Sequence, residues 1–310
     1  MIEVEQLRKV YPGGTEAVAG IQFEVGPGEV FGLLGPNGAG KSTTIGILTT
    51  TVRPTGGTAR VAGFDVVREP LAARRISSVV FQESVVDRSL TGLRNLEIHA
   101  SLWRVDPGSA RRRIAELADS LGIAGLLDRP VGGYSGGERR RLEIARALVS
   151  SPSVLFLDEP TVGLDPRIRQ ELLELIGRLG AERELTILLT THYLDEAERL
   201  AGRVAVMHAG RVVALDRPER LRRSLGRELL ELKIRSDLGI ALTVLRERGI
   251  AGDDAFALGS TLTIPLHELT ARRAIAAVDE LGLASSISTR EPTLDDVYVR
   301  LTGDRLAAAA

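Results

Sequence analysis

The chain has 310 residues, 44% of them hydrophobic and 26% charged, enough apolar content for one large domain with a small companion. A formal net charge of −1 gives bulk electrostatics no pull toward nucleic acid, and the lack of cysteine excludes disulfides and thiolate metal sites. No apolar run approaches the ~18 residues that span a bilayer, and the opening MIEVEQLRKV has no secretory character. Membrane work would therefore need a separate spanning subunit.

In chain order, the short runs IEVEQL, AVAGIQFEV and EVFGLL, punctuated by Pro12-Gly13-Gly14 and Gly26-Pro27-Gly28, predict strands. Residues 30–34 are apolar apart from Gly32, as a strand buried on both faces should be. They lead into GPNGAGKST and a helical pattern, TTIGILTTT. Strands return at TARVAG and SSVVFQ. From about 85 to 150, LTGLRNLEIHASLW, ARRRIAELADSLGI and ERRRLEIARALVS carry apolar residues at helical spacing, which predicts a helical subdomain. Two buried-strand runs follow, SVLFLDE and LTILLTT, separated by the helical IRQELLELIGRLG. With RVAVMHAG and RVVALD beyond them, this βαβ rhythm predicts a parallel sheet flanked by helices.

A composition change at Arg217-Pro218 predicts two domains, 1–217 and 218–310. The second reads as strand, helix, hairpin turning at Gly259-Ser260, helix, strand and a final helix over LDDVYVRLTG, a small α+β domain. The terminal alanines 307–310 are expected to fray. The chain has only three lysines, Lys9, Lys41 and Lys233, so a lysine at a motif position carries weight.

Residues 35–42, Gly-Pro-Asn-Gly-Ala-Gly-Lys-Ser, fit G-x-x-x-x-G-K-[ST] between a buried strand and a helix. Glycine lets backbone N–H groups turn inward around a polyphosphate, and the helix start adds unbonded N–H groups and the positive dipole end. Lys41 would bridge the terminal phosphates and Ser42 would ligate Mg²⁺. Asp158, ending a buried strand, suits a metal ligand at the carboxyl edge of the sheet. Glu159, next to it, suits a general base on the attacking water. Tyr134-Ser135-Gly136-Gly137-Glu138 opens a helix and reads either as a capping box or as a second anion-binding helix terminus. Gln82 and His192 end predicted strands at the same edge. Residues 163–165, Gly-Leu-Asp, read as a turn, and Tyr11 either stacks on a base or covers core.

Together these segments resemble the nucleotide-binding subunit of ABC transporters over about residues 2–215. Six elements occur in one order: the loop at 35–42, Gln82, the signature at 134–138, the carboxylate strand at 154–159, the turn at 163–165 and His192. Residues from about 218, ending in PTLDDVYVRLTG, resemble the C-terminal extension of the daunorubicin/doxorubicin-resistance branch, which contains drug and antibiotic exporters. Tyr134 stands where leucine is common in the family, and Glu138 where glutamine is. An outward-facing Glu138 would keep its charge away from the phosphates.

The resemblance implies an ABC-type P-loop NTPase fold, with an antiparallel β subdomain and a helical subdomain, that hydrolyses ATP with Mg²⁺. Tyr11 would stack on adenine, and Asn37, Gly38, Ala39, Gly40, Lys41, Ser42 and Thr43 would wrap the phosphates. Ser42, Gln82 and Asp158 would hold the metal, with Glu159, His192 and Gln82 as the catalytic group. Ser135, Gly136, Gly137, Glu138 and Asp165 would complete the site across a head-to-tail pair of chains. That implies a second copy, a membrane-spanning permease and a peripheral place on the cytoplasmic membrane face; Trp103 and Arg104 read either as part of the permease contact or as a helix packed only on its own domain.

A non-transport ABC-type ATPase in translation or DNA maintenance is the alternative; such proteins carry two cassettes or coiled-coil arms, and neither is present. A GTPase ranks below that alternative, because the guanine-reading Asn-Lys-x-Asp motif is absent. The arginines at 111–113 and 139–141 are expected on solvated helix faces. Arg217, Arg220, Arg222, Arg223 and Arg227 read as lipid-headgroup contacts or plain surface charge.

Overall fold

The computed structural model describes residues 1–183, 185–235 and 237–303. The alanines 307–310 lie outside them. The chain divides into two compact units, Met1–Val212 and Val213–Ala310, a boundary slightly ahead of the one expected at Arg217.

In the first unit, β1 (Ile2–Val10) pairs antiparallel with β2 (Glu16–Val25). Strand alternation in β1 buries Ile2 and Val4 and would then turn Leu7 outward; a bulge at Gln6, with φ 46°, restores it to the core. Next come β3 (Val30–Leu34) and α1 (Lys41–Leu48). β4 (Gly56–Val61) and β5 (Phe64–Asp65) complete a sheet of order β2-β1-β4-β5. α2 (Pro70–Ile76), a helix the sequence reading lacks, leads into β6 (Ser77–Val80).

The helical segment contains α3 (Gly92–Leu102), α4 (Pro107–Ser120) and α5 (Gly136–Leu148). Each starts on a side-chain cap: Thr91 accepts from Arg94 N–H, Asp106 from Ser109 N–H and Ser135 from Glu138 N–H. β7 (Val154–Asp158), α6 (Pro166–Arg183), β8 (Thr186–Thr191), α7 (Leu194–Leu200), β9 (Arg203–His208) and β10 (Arg211–Asp216) follow. The second sheet has the order β10-β9-β3-β8-β7-β6, and the pairs from β9 to β6 are parallel, as the βαβ rhythm predicts.

One contiguous core joins the helical segment to this sheet. It runs from Leu96, Ile114 and Leu117 through Leu142 and Ile144 to Leu155, Leu157, Ile187 and Leu189. Each such buried side chain contributes about 1.5–3 kcal/mol. The parallel register puts Leu34 beside Thr191 and Asp158 beside Thr190, so the carboxyl ends of β3, β8 and β7 open on one edge.

The second unit contains α8 (Pro218–Arg223), β11 (Glu228–Ile234), α9 (Leu238–Glu247), β12 (Phe256–Leu258), β13 (Thr261–Leu266), α10 (Ala271–Leu281), β14 (Ala284–Arg290) and α11 (Leu294–Thr302). Its antiparallel sheet has the order β12-β13-β11-β14 and its own core, which includes Leu230, Leu232, Ala241, Leu245, Ile264, Ala274 and Val278. The hairpin turns at Gly259, whose φ is 58°. Arg290 bridges Glu231 and Asp296 at the start of α11. Burial pushes the Asp296 carboxyl up, but the Arg290 guanidinium and the Thr293 N–H outweigh it and hold the group below the usual carboxylate range.

Candidate functional site

The loop between β3 and α1 is shaped by close backbone approach. Gly40 has φ 101°, and a Cβ there would overlap the Ala17 carbonyl oxygen; one at Gly35 would overlap the Met207 carbonyl oxygen. No other residue fits either position. The loop delivers Lys41 into a buried setting, where Nζ donates to the carbonyls of Gly35 at 2.7 Å and Pro36 at 3.0 Å. The same ammonium lies 3.1 Å from Glu159 Oε1.

Ser42 Oγ donates to Asp158 Oδ1 at 3.1 Å, and Thr190 Oγ1 donates to the same oxygen at 2.7 Å. Thr190 Oγ1 also accepts from Glu159 N–H at 2.9 Å. Glu159 has a left-handed φ of 44°, which costs a non-glycine residue ~1 kcal/mol or more. Its Oε2 lies 3.3 Å from His192 Nδ1, an ion-pair distance without hydrogen-bond alignment. Lys41, Ser42, Asp158, Glu159 and His192 thus form one chain of contacts at the carboxyl edge of the sheet.

The other expected residues lie less tightly. Strands end sooner than predicted: β6 stops at Val80, so Gln82 is exposed in the loop beyond it, and His192 lies just past β8. Tyr11 is half-buried, its hydroxyl 3.4 Å from Thr43 Oγ1 and its ring 4.9 Å below the Lys9 ammonium. Asn37 and Gly38 are exposed at the loop tip, Ala39 and Gly40 are buried, and Gly38 has φ 80°. Asp165 caps α6, its Oδ1 accepting from Ile168 N–H at 3.1 Å.

Ser135 and Glu138 form a full capping box, the Glu138 carboxylate accepting from Ser135 N–H at 2.7 Å. Glu138 therefore folds back on its own helix instead of facing outward, and the Ser135 N–H holds its carboxyl below the usual range. Gly136 and Ser135 are exposed, while Gly137 is buried against Ile168 of α6.

Comparison with known proteins shows the family of the chain. The sequence profile of the ABC transporter family matches residues 18–162. The daunorubicin/doxorubicin resistance ATP-binding protein DrrA of Streptomyces peucetius is 44% identical over 309 residues, 97% of this chain and 92% of the relative. This chain belongs to the ATP-binding subunits of ABC transporters. Another relative, a Nod factor export ATP-binding protein of Paraburkholderia xenovorans, is 36% identical and covers 97% of each chain. An ABC cassette solved as a dimer in a post-hydrolysis state with ADP and phosphate superposes with TM-score 0.64 at 25% identity, covering 70% of this chain and 98% of that one. The subunit is an ATPase, and its fold is the ABC-type cassette.

Within that family, the Tyr134 departure has a local reason: its hydroxyl donates to the Leu126 carbonyl and fills the space over Gly92, where a Cβ would overlap it. The arginines after the signature correct the solvated-face expectation. Arg139 donates to the Tyr134 carbonyl, Arg141 pairs with Glu171 at 2.8 Å, and Arg140 is buried. Helical spacing carried the signal, because Arg140 shares a face with Gly137, Ile144 and Ala147, all buried. Arg111 and Arg112 are exposed as expected, whereas Arg113 donates to the Val149 carbonyl at 2.7 Å.

Glu196 is a further buried group the sequence reading missed. It accepts from Thr161 Oγ1, from Thr191 Oγ1 at 2.6 Å and from Arg169 Nε at 2.7 Å. Arg169 also lies 3.8 Å over the ring of Tyr193. Glu196 thereby ties the turn after Glu159 to the segment that carries His192.

Proposed function

We propose that this ATPase powers export of a drug-like, antibiotic or lipid-like substrate through a separate membrane permease, working in an ATP-bound pair of identical chains. The observation that carries the reading is the contact run Lys41–Glu159–His192, with Lys41 and Glu159 buried, beside Ser42–Asp158. Resistance and export relatives that match nearly the whole chain support the direction of transport. No helix among the described residues is long and apolar enough to cross a membrane, which is consistent with a partner that does. The exposed Leu102 and Trp103 at the end of α3 suit that contact, which would lie at the cytoplasmic membrane face.

Tyr11 stacks on adenine and residues 37–43 wrap the phosphates. The oxygens of Ser42 and Asp158 fit Mg²⁺, a hard cation that takes few protein ligands and keeps phosphate and water oxygens; Gln82 would reach it from its loop. When bound, the metal supplies charge neutralisation at the β- and γ-phosphates. Ser135, Gly136, Gly137 and Glu138 of one copy, with Asp165 nearby, close over the γ-phosphate held by the other. The single loop and single signature of this chain, and the dimeric cassette it resembles, support that pairing. Glu159 takes the proton from the attacking water and His192 orients it.

Glu159→Gln should bind ATP normally, accumulate as a dimer in light scattering and lose hydrolysis by about 100-fold or more. Unchanged turnover would remove Glu159 as the base. A monomer at saturating ATP would remove the pairing.

A further inference from the structure

We propose that Arg140 is a positioning residue for hydrolysis, holding Glu159 and the approach to Gln82 in register with the helix that carries Ser135. The inference rests on the roles proposed above for Glu159 and Gln82. The Arg140 guanidinium is buried and makes five hydrogen bonds. Nε donates to Pro160 O at 2.7 Å; Nη1 donates to Phe81 O at 2.6 Å and Glu143 Oε2 at 2.9 Å. Nη2 donates to Glu159 O at 3.1 Å and Asp158 O at 3.4 Å.

The carbonyl acceptors come from the two segments that leave β6 and β7. One leads to Gln82, and the other carries Asp158 and Glu159. Past a strand end, buried carbonyls have lost their ladder partners and need donors from elsewhere. Arg140 supplies them from the first turns of α5, whose amino end is Ser135. Because Glu159 is left-handed, its carbonyl needs an anchor to keep the carboxylate aimed between Lys41 and His192. A fork of five fixed donors can span these acceptors; a lysine, with three donors on one atom, cannot. Glu143, one turn on, balances the charge. A shift of α5 against the sheet is thus felt directly at Glu159.

The test uses the full chain, with steady-state and single-turnover ATP hydrolysis. Arg140→Met should lower kcat by up to about 10²-fold, since small misplacement of reacting groups costs that much. KM for ATP should stay within about threefold, because the loss belongs to the transition state. Arg140→Lys should recover little. In single turnover, the Arg140→Met/Glu159→Gln double variant should be no slower than Glu159→Gln alone, the non-additivity expected of groups acting through one another. Arg140→Met strands Glu143 as a buried charge, so R140Q/E143Q, which neutralises both, serves if the single variant does not fold. It should show the same loss in kcat.

Wild-type kcat in either variant, a change in KM alone, or multiplicative losses in the double variant would overturn the proposal. Glu159→Gln with unchanged turnover would instead overturn the reading beneath it, whatever the Arg140 variants do.

Discussion

At the scale of single residues, this site depends on side chains held by backbone as much as by one another. Gly40 shows it most directly: its φ of 101° and the nearby Ala17 carbonyl leave no space for a methyl group. Gly40→Ala is expected to leave the domain folded and weaken ATP binding by about tenfold or more, because the loop must open to admit the Cβ. Calorimetric titration measures it, and unaltered affinity would show that the loop adapts. The sequence motifs singled out Lys41, Ser42, Asp158 and Glu159, and the structure brings these four side chains together at one edge of the sheet. Arg140 and Glu196 were not legible in the sequence, since their partners lie on other strands and helices. An arginine inside Arg-Arg-Arg looks like surface until the face of the helix is counted.

At the scale of elements, helix ends and helix pairs decide how the site is framed. The capping box at Ser135–Glu138 was one of two readings open from sequence, and the structure builds it in full. Helix α2 went unread, and strand ends at Val80 and Thr191 were placed too late, because polar residues at a sheet edge extend the strand pattern without its hydrogen bonds. Packing of α3 on α5 brings His99 beside Arg146, with Trp103 edge-on at 5.8 Å. Burial, helped by the Arg146 charge, lowers the His99 pKa from 6.5 to about 4. As pH falls below 6.5, the unfolded chain takes up this proton first, so stability drops from there down to about 4 and then levels. Thermal melts should show wild type losing more stability than His99→Gln between those limits. Parallel curves would mean that His99 protonates freely in the folded state.

At the scale of the molecule, the first unit is built on two sheets and the second on one, and each unit packs its own buried residues. The order of strands and helices was readable because βαβ rhythm and hairpin punctuation are local signals, whereas the sheet order β10-β9-β3-β8-β7-β6 depends on pairings far apart in sequence. Two compact units predict two calorimetric transitions. A non-hydrolysable ATP analogue at about 100 times its Kd should raise only the transition of the nucleotide-binding unit, by the equivalent of about 2.7 kcal/mol. A single transition would show that the units melt together. The close approach of Gly35 to Met207 and of Gly40 to Ala17 bears on engineering at this scale. Residues 35–42 would not be portable: spliced between an arbitrary strand and helix, they would lack the two carbonyl walls, set by β2 and β9, that press the loop into shape. A working graft has to carry those strands with it.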